Sequence, residues 1–341
     1  MRPLLFISYL SIAIAACNTP RKKVERICLS PEIVTDSLYT MLPGKVQLCE
    51  SYLVWQDGFA TDTFMHVVDL HKGEEIGKMG KIGRGSQEFV SPNLIGSADR
   101  HIVIFDDDLP KCAFYSIDSL LLGRNPYISQ KNSPLKQVCD AAVIDSSTFV
   151  ALQFAEPLPF RVVKDGQAIS SFGNYPIRDS ISNRYGTCQG SIAYHTEKGL
   201  LLYSANRFPY FALYRKNAGD LFSMVKESDY PIYYKVKEKE AQITDENAPA
   251  FRNPTFLRDY IVFRKQDEDN PLPKQKPTPG IRDLSMVPHT IYIFDYDLNL
   301  LKIADLNMPI LTMTGNPQSN TLYFLGLKNS FCIAKCEMDI H

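Results

Sequence analysis

Three absences in the sequence narrow the function classes to consider. Lys and Arg total 37 and Asp and Glu total 38, so no excess of positive charge indicates binding to nucleic acid. No apolar run reaches the roughly 20 residues that a membrane-spanning helix needs. No long segment repeats apolar residues at the helical period, which argues against a mainly helical fold.

Motifs of several enzyme classes are also missing. There is no Gly-x-Ser-x-Gly elbow for a serine nucleophile and no His-x-x-x-His pair for zinc. The glycine run that ends at Gly85 continues with Ser86 and Gln87, whereas a phosphate-binding P-loop continues with lysine. The acidic residues 106–108 and 267–269 lack the spacing of a calcium loop. No cofactor is therefore expected from local motifs.

The sequence is rich in aromatic residues and in short strand-like runs. Tyr and Phe number 18 and 19, against 18 Gly, a balance typical of β-sheet. From residue 45 onward, runs of about four to seven apolar residues alternate with turns containing Gly, Asn, Asp and Pro. A helix is expected only in residues 234–245, which are highly charged.

The strand-like runs are grouped in fours, and a period of about 40 to 50 residues with four strands indicates propeller blades. Residues 102–108 and 292–297 both contain a strand that ends in acidic residues, and we interpret them as equivalent positions in two blades. The sequence predicts an all-β fold, a six-bladed β-propeller with four-stranded antiparallel blades, whose ring is closed by an N-terminal strand in residues 27–40. A row of β-sandwiches is the alternative. The predicted blades are residues 45–90, 91–132, 136–176, 186–230, 250–305 and 307–339.

The N-terminus predicts export and a lipid anchor. Residues 4–16 are mostly apolar and have the length of a signal-peptide core. They end in the sequence IAAC at residues 14–17, which resembles the bacterial lipobox and predicts lipidation of Cys17. An ordinary secretory signal with a chance cysteine is the alternative. The predicted divisions are a signal peptide, a lipid-anchored tether and a single propeller domain, at residues 1–16, 17–26 and 27–341.

The most distinctive motif is GKIGRGSQEF at residues 80–89. It resembles the glycine-rich blade ending, G-x-x-G-x-G-P-x-E-F, of the TolB-like six-bladed propeller lipoproteins of Bacteroides-type bacteria, and more loosely that of NHL-repeat propellers. Ser86 replaces the expected proline, and the motif occurs once. The resemblance implies a six-bladed lipoprotein of the Gram-negative outer membrane and implies no chemistry. No acidic run follows Cys17, which favours a periplasm-facing anchor.

In a propeller, the loops that join the second and third strands of each blade lie together on one end of the ring. Propellers usually bind their ligands on this face. The insertion at residues 266–288 belongs to this set, either as a lid or as a loose insertion. Arg84 and Glu88 have a structural alternative, because they could brace their own turn. The candidate ligand-binding residues on this face are Asp57, Arg84, Glu88, Asp107, Glu156, Arg207, Tyr210 and Arg282.

Three functions are compatible with these features. The first is a monomeric, non-enzymatic envelope lipoprotein that contacts the membrane through its lipid and binds a partner protein, peptide or glycan. The second is a metal-dependent hydrolase or lyase of the lactonase-like propeller class, in which calcium on the ring axis would leave no local motif. The third is a purely structural envelope protein.

Seven cysteines remain besides Cys17, so at least one is unpaired. A bond from Cys28 to Cys332 or Cys336 would join the first and last strands of the ring. The alternative is that all seven are small buried apolar side chains.

The lipid anchor gives the first testable prediction. Cys17→Ala removes the thiol that would carry the lipid, so we expect the protein to move from the membrane fraction to the soluble fraction. Unchanged membrane retention in cell fractionation would contradict the anchor.

Overall fold

A computed structural model of the chain describes residues 24–133, 135, 137–154, 157–245, 250–267 and 284–340. These residues form 28 strands and two short α-helices. Six sheets of four or five strands make a ring, because the innermost strand of each sheet contacts that of the next and the last contacts the first. The predicted six-bladed propeller is confirmed, and the row of sandwiches is excluded. Blades one and five have five strands rather than the predicted four, and blade one begins at Pro43.

The strands follow the chain from the inner to the outer edge of each blade. Two strands precede the first blade: β1 (Glu25–Cys28) and β2 (Glu32–Leu38). Blade one contains β3 (Pro43–Cys49), β4 (Tyr52–Asp57), β5 (Thr63–Asp69), β6 (Glu74–Ile82) and β7 (Glu88–Phe89). Blade two contains β8 (Pro92–Ala98), β9 (His101–Asp106), β10 (Lys111–Ser116) and β11 (Tyr127–Asn132), with α1 (Ile117–Leu121) before the last. Blade three contains β12 (Val138–Val143), β13 (Thr148–Gln153), β14 (Phe160–Lys164) and β15 (Gln167–Phe172).

Blade four follows α2 (Arg184–Cys188). It contains β16 (Gly190–His195), β17 (Leu200–Ala205), β18 (Phe211–Lys216) and β19 (Phe222–Glu227), and is followed by the hairpin β20 (Tyr234–Lys237) and β21 (Glu240–Ile243). Blade five contains β22 (Phe251–Phe256), β23 (Ile261–Lys265), β24 (Thr290–Phe294) and β25 (Leu300–Asp305). Blade six contains β26 (Ile310–Gly315), β27 (Thr321–Leu327) and β28 (Phe331–Glu337). None of the described helices is long and apolar enough to cross a membrane.

The core lies between blades rather than in a single centre. Every residue of β17 is buried, because both faces of a middle strand contact a neighbouring blade. Between blades four and five the core is mainly aromatic, and the ring centroids of Phe211 and Phe263 are 4.7 Å apart. This arrangement explains the short, almost continuously apolar runs, since a middle strand buried on both faces has little polar alternation.

The N-terminal segment closes the ring as predicted. β2 pairs antiparallel with β28 as the outer strand of blade six, and Lys335 Nζ lies 3.2 Å from Glu32 Oε2. The pairing covers an edge that would otherwise be exposed in blade six. β1 was not predicted as a separate strand: it pairs in parallel with β25, so blade five has a fifth strand that begins two residues before the predicted domain start.

The prediction of a helix in residues 234–245 is wrong, because this segment forms the β20–β21 hairpin. Its two turn residues, Glu238 and Lys239, have φ values of 53° and 63°, as in the tight turns that match strand twist. Such turns usually contain Asn or Gly, so Glu238 and Lys239 carry no turn signal. Ala241 is buried against the core of blades three and four and anchors the hairpin.

The proposed equivalence of residues 102–108 and 292–297 is also wrong. Asp106 ends β9, the second strand of its blade, whereas Asp295 follows β24, the third strand of its blade. Both carboxylates accept backbone N–H groups two residues ahead, from Asp108 and Asp297, at 3.0 and 2.9 Å. The shared pattern therefore reflects a common turn chemistry rather than a common blade position.

The bond from Cys28 to Cys332 or Cys336 is not formed, because all seven described cysteines are free. Cys28 is exposed on β1 at blade five, whereas Cys332 and Cys336 are buried in blade six. The alternative, that all seven are small buried apolar side chains, fits five of them, because Cys139 is half-buried and Cys28 is exposed.

These surroundings predict one reactive thiol in the propeller. Burial raises the pKa of Cys112 to about 12 and those of Cys49, Cys139, Cys188 and Cys336 to about 11, which suppresses the reactive thiolate near pH 8. In a Cys17→Ala background, mass spectrometry after brief alkylation of the folded protein should find one label, on Cys28. A Cys28→Ser variant should remain unlabelled until it is unfolded, and rapid labelling of Cys112 would contradict the packing.

Candidate functional site

Each blade places the start of its inner strand beside the end of its second strand. Pro43 pairs with Asp57 in blade one, and Pro92 pairs with Asp106 in blade two. The same relation holds in the other four blades. The loops between second and third strands therefore gather at the end of the ring where the inner strands begin, here called the upper face.

A channel runs along the ring axis and has a volume of about 720 Å³. All six inner strands line it, and β-bulges interrupt several of them near the upper face, as between Val138 and Asp140 in β12. The polar side chains along its wall come from every blade: Lys45, Gln47, Ser97, Asp140, Ser191, Asn253, Thr312 and Thr314.

Lys45 and Asp140 form an ion pair across this channel. Lys45 of blade one reaches past blade two to the carboxylate of Asp140 in blade three. Asp140 Oδ2 also accepts the N–H of Ile192, on the inner strand of blade four, at 2.9 Å. One carboxylate thus joins three blades at the axis, and no local motif marks either residue.

The glycine motif forms a braced turn between blades one and two. Glu88 Oε2 accepts the N–H of Gly85 at 2.7 Å, and a Cβ on Gly83 would lie 2.1 Å from the same oxygen. Lys111 Nζ donates to the carbonyl of Glu88 at 2.6 Å and fixes the turn to blade two. Glu88 therefore braces its own turn, while Arg84 is exposed on the same turn.

The other candidates in blades one and two also make structural contacts. Asp57 accepts the Thr40 hydroxyl and the N–H of Phe59, both at 2.9 Å. Asp107 accepts the N–H of Val138 at 3.2 Å and so links blade two to blade three. Both carboxylates are on the upper face, but backbone or hydroxyl donors already occupy them.

In blade four, Tyr210 is buried and donates its hydroxyl to Glu227 at 2.7 Å, and burial raises its pKa. Arg207 is exposed and donates to the carbonyl of Gly186 at 3.0 Å. The remaining candidates, Cys17, Glu156 and Arg282, lie outside the described residues.

The insertion begins and ends on the upper face, between β23 and β24, as predicted. Asp267 is buried, and its carboxylate accepts the N–H groups of His289 and Thr290 at 3.1 and 3.0 Å. The lid interpretation falls mainly on residues 268–283, which lie outside the described residues. Within the part of the chain that is described, no group of three or more His, Cys, Asp or Glu is placed to hold a metal ion. Calcium on the axis stays a prediction.

An apolar cleft of about 530 Å³ lies on the upper face where blade six meets blade one. Tyr39 and Met41 are exposed to 93% and 75%, and Phe59 to 45%. Both Tyr39 and Met41 belong to the linker from the ring-closing strand β2 to β3, so this cleft exists only because the ring closes there. No sequence pattern predicts this cleft, since an isolated apolar residue in a linker gives no signal of its neighbours.

Solved structures with the same fold come from several bacteria. A member of the DUF4221 family from Bacteroides vulgatus is 12% identical, with a TM-score of 0.58 over 92% of this chain and 96% of the other. A Bacteroides fragilis protein classed as exported is 8% identical, with a TM-score of 0.59 over 92% and 98% of the two chains. The calcium-binding protein regucalcin from Agrobacterium tumefaciens is 10% identical, with a TM-score of 0.50 over 92% and 95%.

Comparison with curated proteins gives no match. The family model described as TolB-like 6-blade propeller-like matches residues 25–228, which is more than half of the chain. The six blades and the braced glycine turn agree with this match, and the chain therefore belongs to the TolB-like six-bladed propeller family.

Proposed function

We propose that this chain is a non-catalytic binding protein of the bacterial envelope, lipid-anchored through Cys17, and that its upper face binds a partner protein or peptide. The apolar cleft is the observation that carries this proposal. Large apolar side chains on a soluble surface mark interaction sites when they are grouped around a concave surface.

The residue types in the cleft favour a polypeptide partner over a glycan. Tyr, Phe and Met are enriched in protein interfaces, where they fill pockets and exclude water. Tyr39 is almost fully exposed, yet the backbone around it is held, because the Thr40 hydroxyl donates to Asp57. A fixed linker lowers the entropy lost when a partner orders these side chains.

Features of the N-terminus and of similar proteins support the envelope location. The lipobox-like IAAC sequence at residues 14–17 is followed by a short basic segment before β1 begins at Glu25. One of the proteins with the same fold is classed as exported. The propeller would then lie close to the membrane with its upper face open to other envelope proteins.

A peptide-display selection on the purified full chain tests the proposal. We expect selected peptides to carry an apolar side chain and to lose at least tenfold in affinity for the variant Tyr39→Ser with Met41→Ser, which corresponds to about 1.4 kcal/mol. The matched control is Leu221→Ser with Val225→Ser, which removes two side chains exposed to 56% and 46% at blade four. Binding to the control should equal that of the unmodified chain.

Equal loss in both double variants, or selection of no peptide, would contradict a polypeptide site in the cleft. If no peptide is selected and the unmodified chain binds a glycan on a glycan array, the glycan alternative would be favoured instead. Circular dichroism of both double variants should show the same β-rich spectrum, since all four positions are on the surface.

A further inference from the structure

Two arginines face each other on blade five at the upper face. Arg252 of β22 and Arg264 of β23 are cross-strand partners. Like charges directly opposite each other on an antiparallel pair are destabilising unless an opposite charge lies nearby. The position therefore calls for an explanation beyond the packing of the blade.

Each guanidinium is held by carbonyl groups of a neighbouring blade. Arg252 Nη2 donates to the carbonyl of Asn206 in blade four at 3.1 Å. Arg264 Nη1 donates to the carbonyls of Ile310, at 2.6 Å, and Leu311 in blade six. These contacts fix the direction of both side chains, but a neutral carbonyl balances neither positive charge.

Neither arginine forms an ion pair within the described residues. Arg252 is exposed, Arg264 is half-buried, and the buried Nε of Arg264 has no hydrogen-bond partner there. Asp267 acts on Arg264 through its charge, but its oxygens accept N–H groups of His289 and Thr290. An arginine has five N–H donors, so several donors of this pair remain available to a ligand.

The pKa values of both arginines are lowered, and desolvation is the main cause. Burial and the charge of Arg252 lower the pKa of Arg264 to about 10. Desolvation also lowers the pKa of Arg252. The exposed Arg207 follows Asn206 in the chain and adds a third positive charge to the same side of the upper face.

We propose that Arg252 and Arg264 form an anion-binding site on the upper face, and that its ligand is a small oxyanion, a phosphate or a carboxylate. An oxyanion in contact with both arginines would reduce their repulsion and accept charge-assisted hydrogen bonds. This site is separate from the apolar cleft at blades six and one, so each proposal can fail without the other.

Thermal unfolding of the full chain tests the site with inorganic phosphate and with acetate as probes, at constant ionic strength set with sodium chloride. A ligand that binds only the folded state raises the melting temperature with its concentration. We expect a saturable rise with at least one probe, and the probe that acts identifies the oxyanion. Arg252→Gln should weaken the apparent affinity at least tenfold.

The matched control is Arg258→Gln, which removes an exposed arginine that already pairs with Asp259 at 3.0 Å. It should respond to the probe as the unmodified chain does. No response of the unmodified chain to either probe would overturn the site. A parallel response of Arg252→Gln and the unmodified chain would overturn it as well, because the rise would then be a general salt effect.

Discussion

The pairing of β2 with β28 is the interaction on which the rest of the molecule depends. The segment after blade five supplies only three strands, β26 to β28, and the fourth strand of blade six comes from the N-terminus. Without it, blade six would expose an unpaired edge next to blade one. Closure also fixes the linker that carries Tyr39 and Met41, so the apolar cleft of the proposed function is a direct product of ring closure.

The carboxylates and the arginines of the upper face differ in their hydrogen-bond partners. Three of its described acids, Asp57, Asp107 and Asp267, each accept a backbone N–H. The arginines at blade five have only carbonyl partners within the described residues, and a carbonyl carries no net charge to balance them. This difference between the described carboxylates and guanidinium groups is the basis of the proposed anion site.

Much of the fold could be predicted from the sequence, because blade repeats and apolar runs are local signals. The contacts that make the site are not local. Asp57 and Glu88 lie on the upper face and both brace loops, since the same carboxylate that suits a ligand also suits a backbone N–H. Lys45 and Asp140 meet across the axis from blades one and three, and only three-dimensional coordinates reveal that pair. The hairpin turn at Glu238 was missed because its residue types are not typical of such a turn.

A disulfide between Glu32→Cys and Lys335→Cys tests ring closure most directly, because these cross-strand partners already bring their side chains together. In a Cys17→Ser and Cys28→Ser background, mild oxidation of the folded protein should form this bond and raise the urea midpoint. The closed loop of about 300 residues gives an upper figure on the order of 5 kcal/mol. The control pair, Glu32→Cys with Lys226→Cys, joins blade six to exposed β19 of blade four and should stay reduced. No bond in the first pair, or equal oxidation of both pairs, would contradict closure by the N-terminal strand.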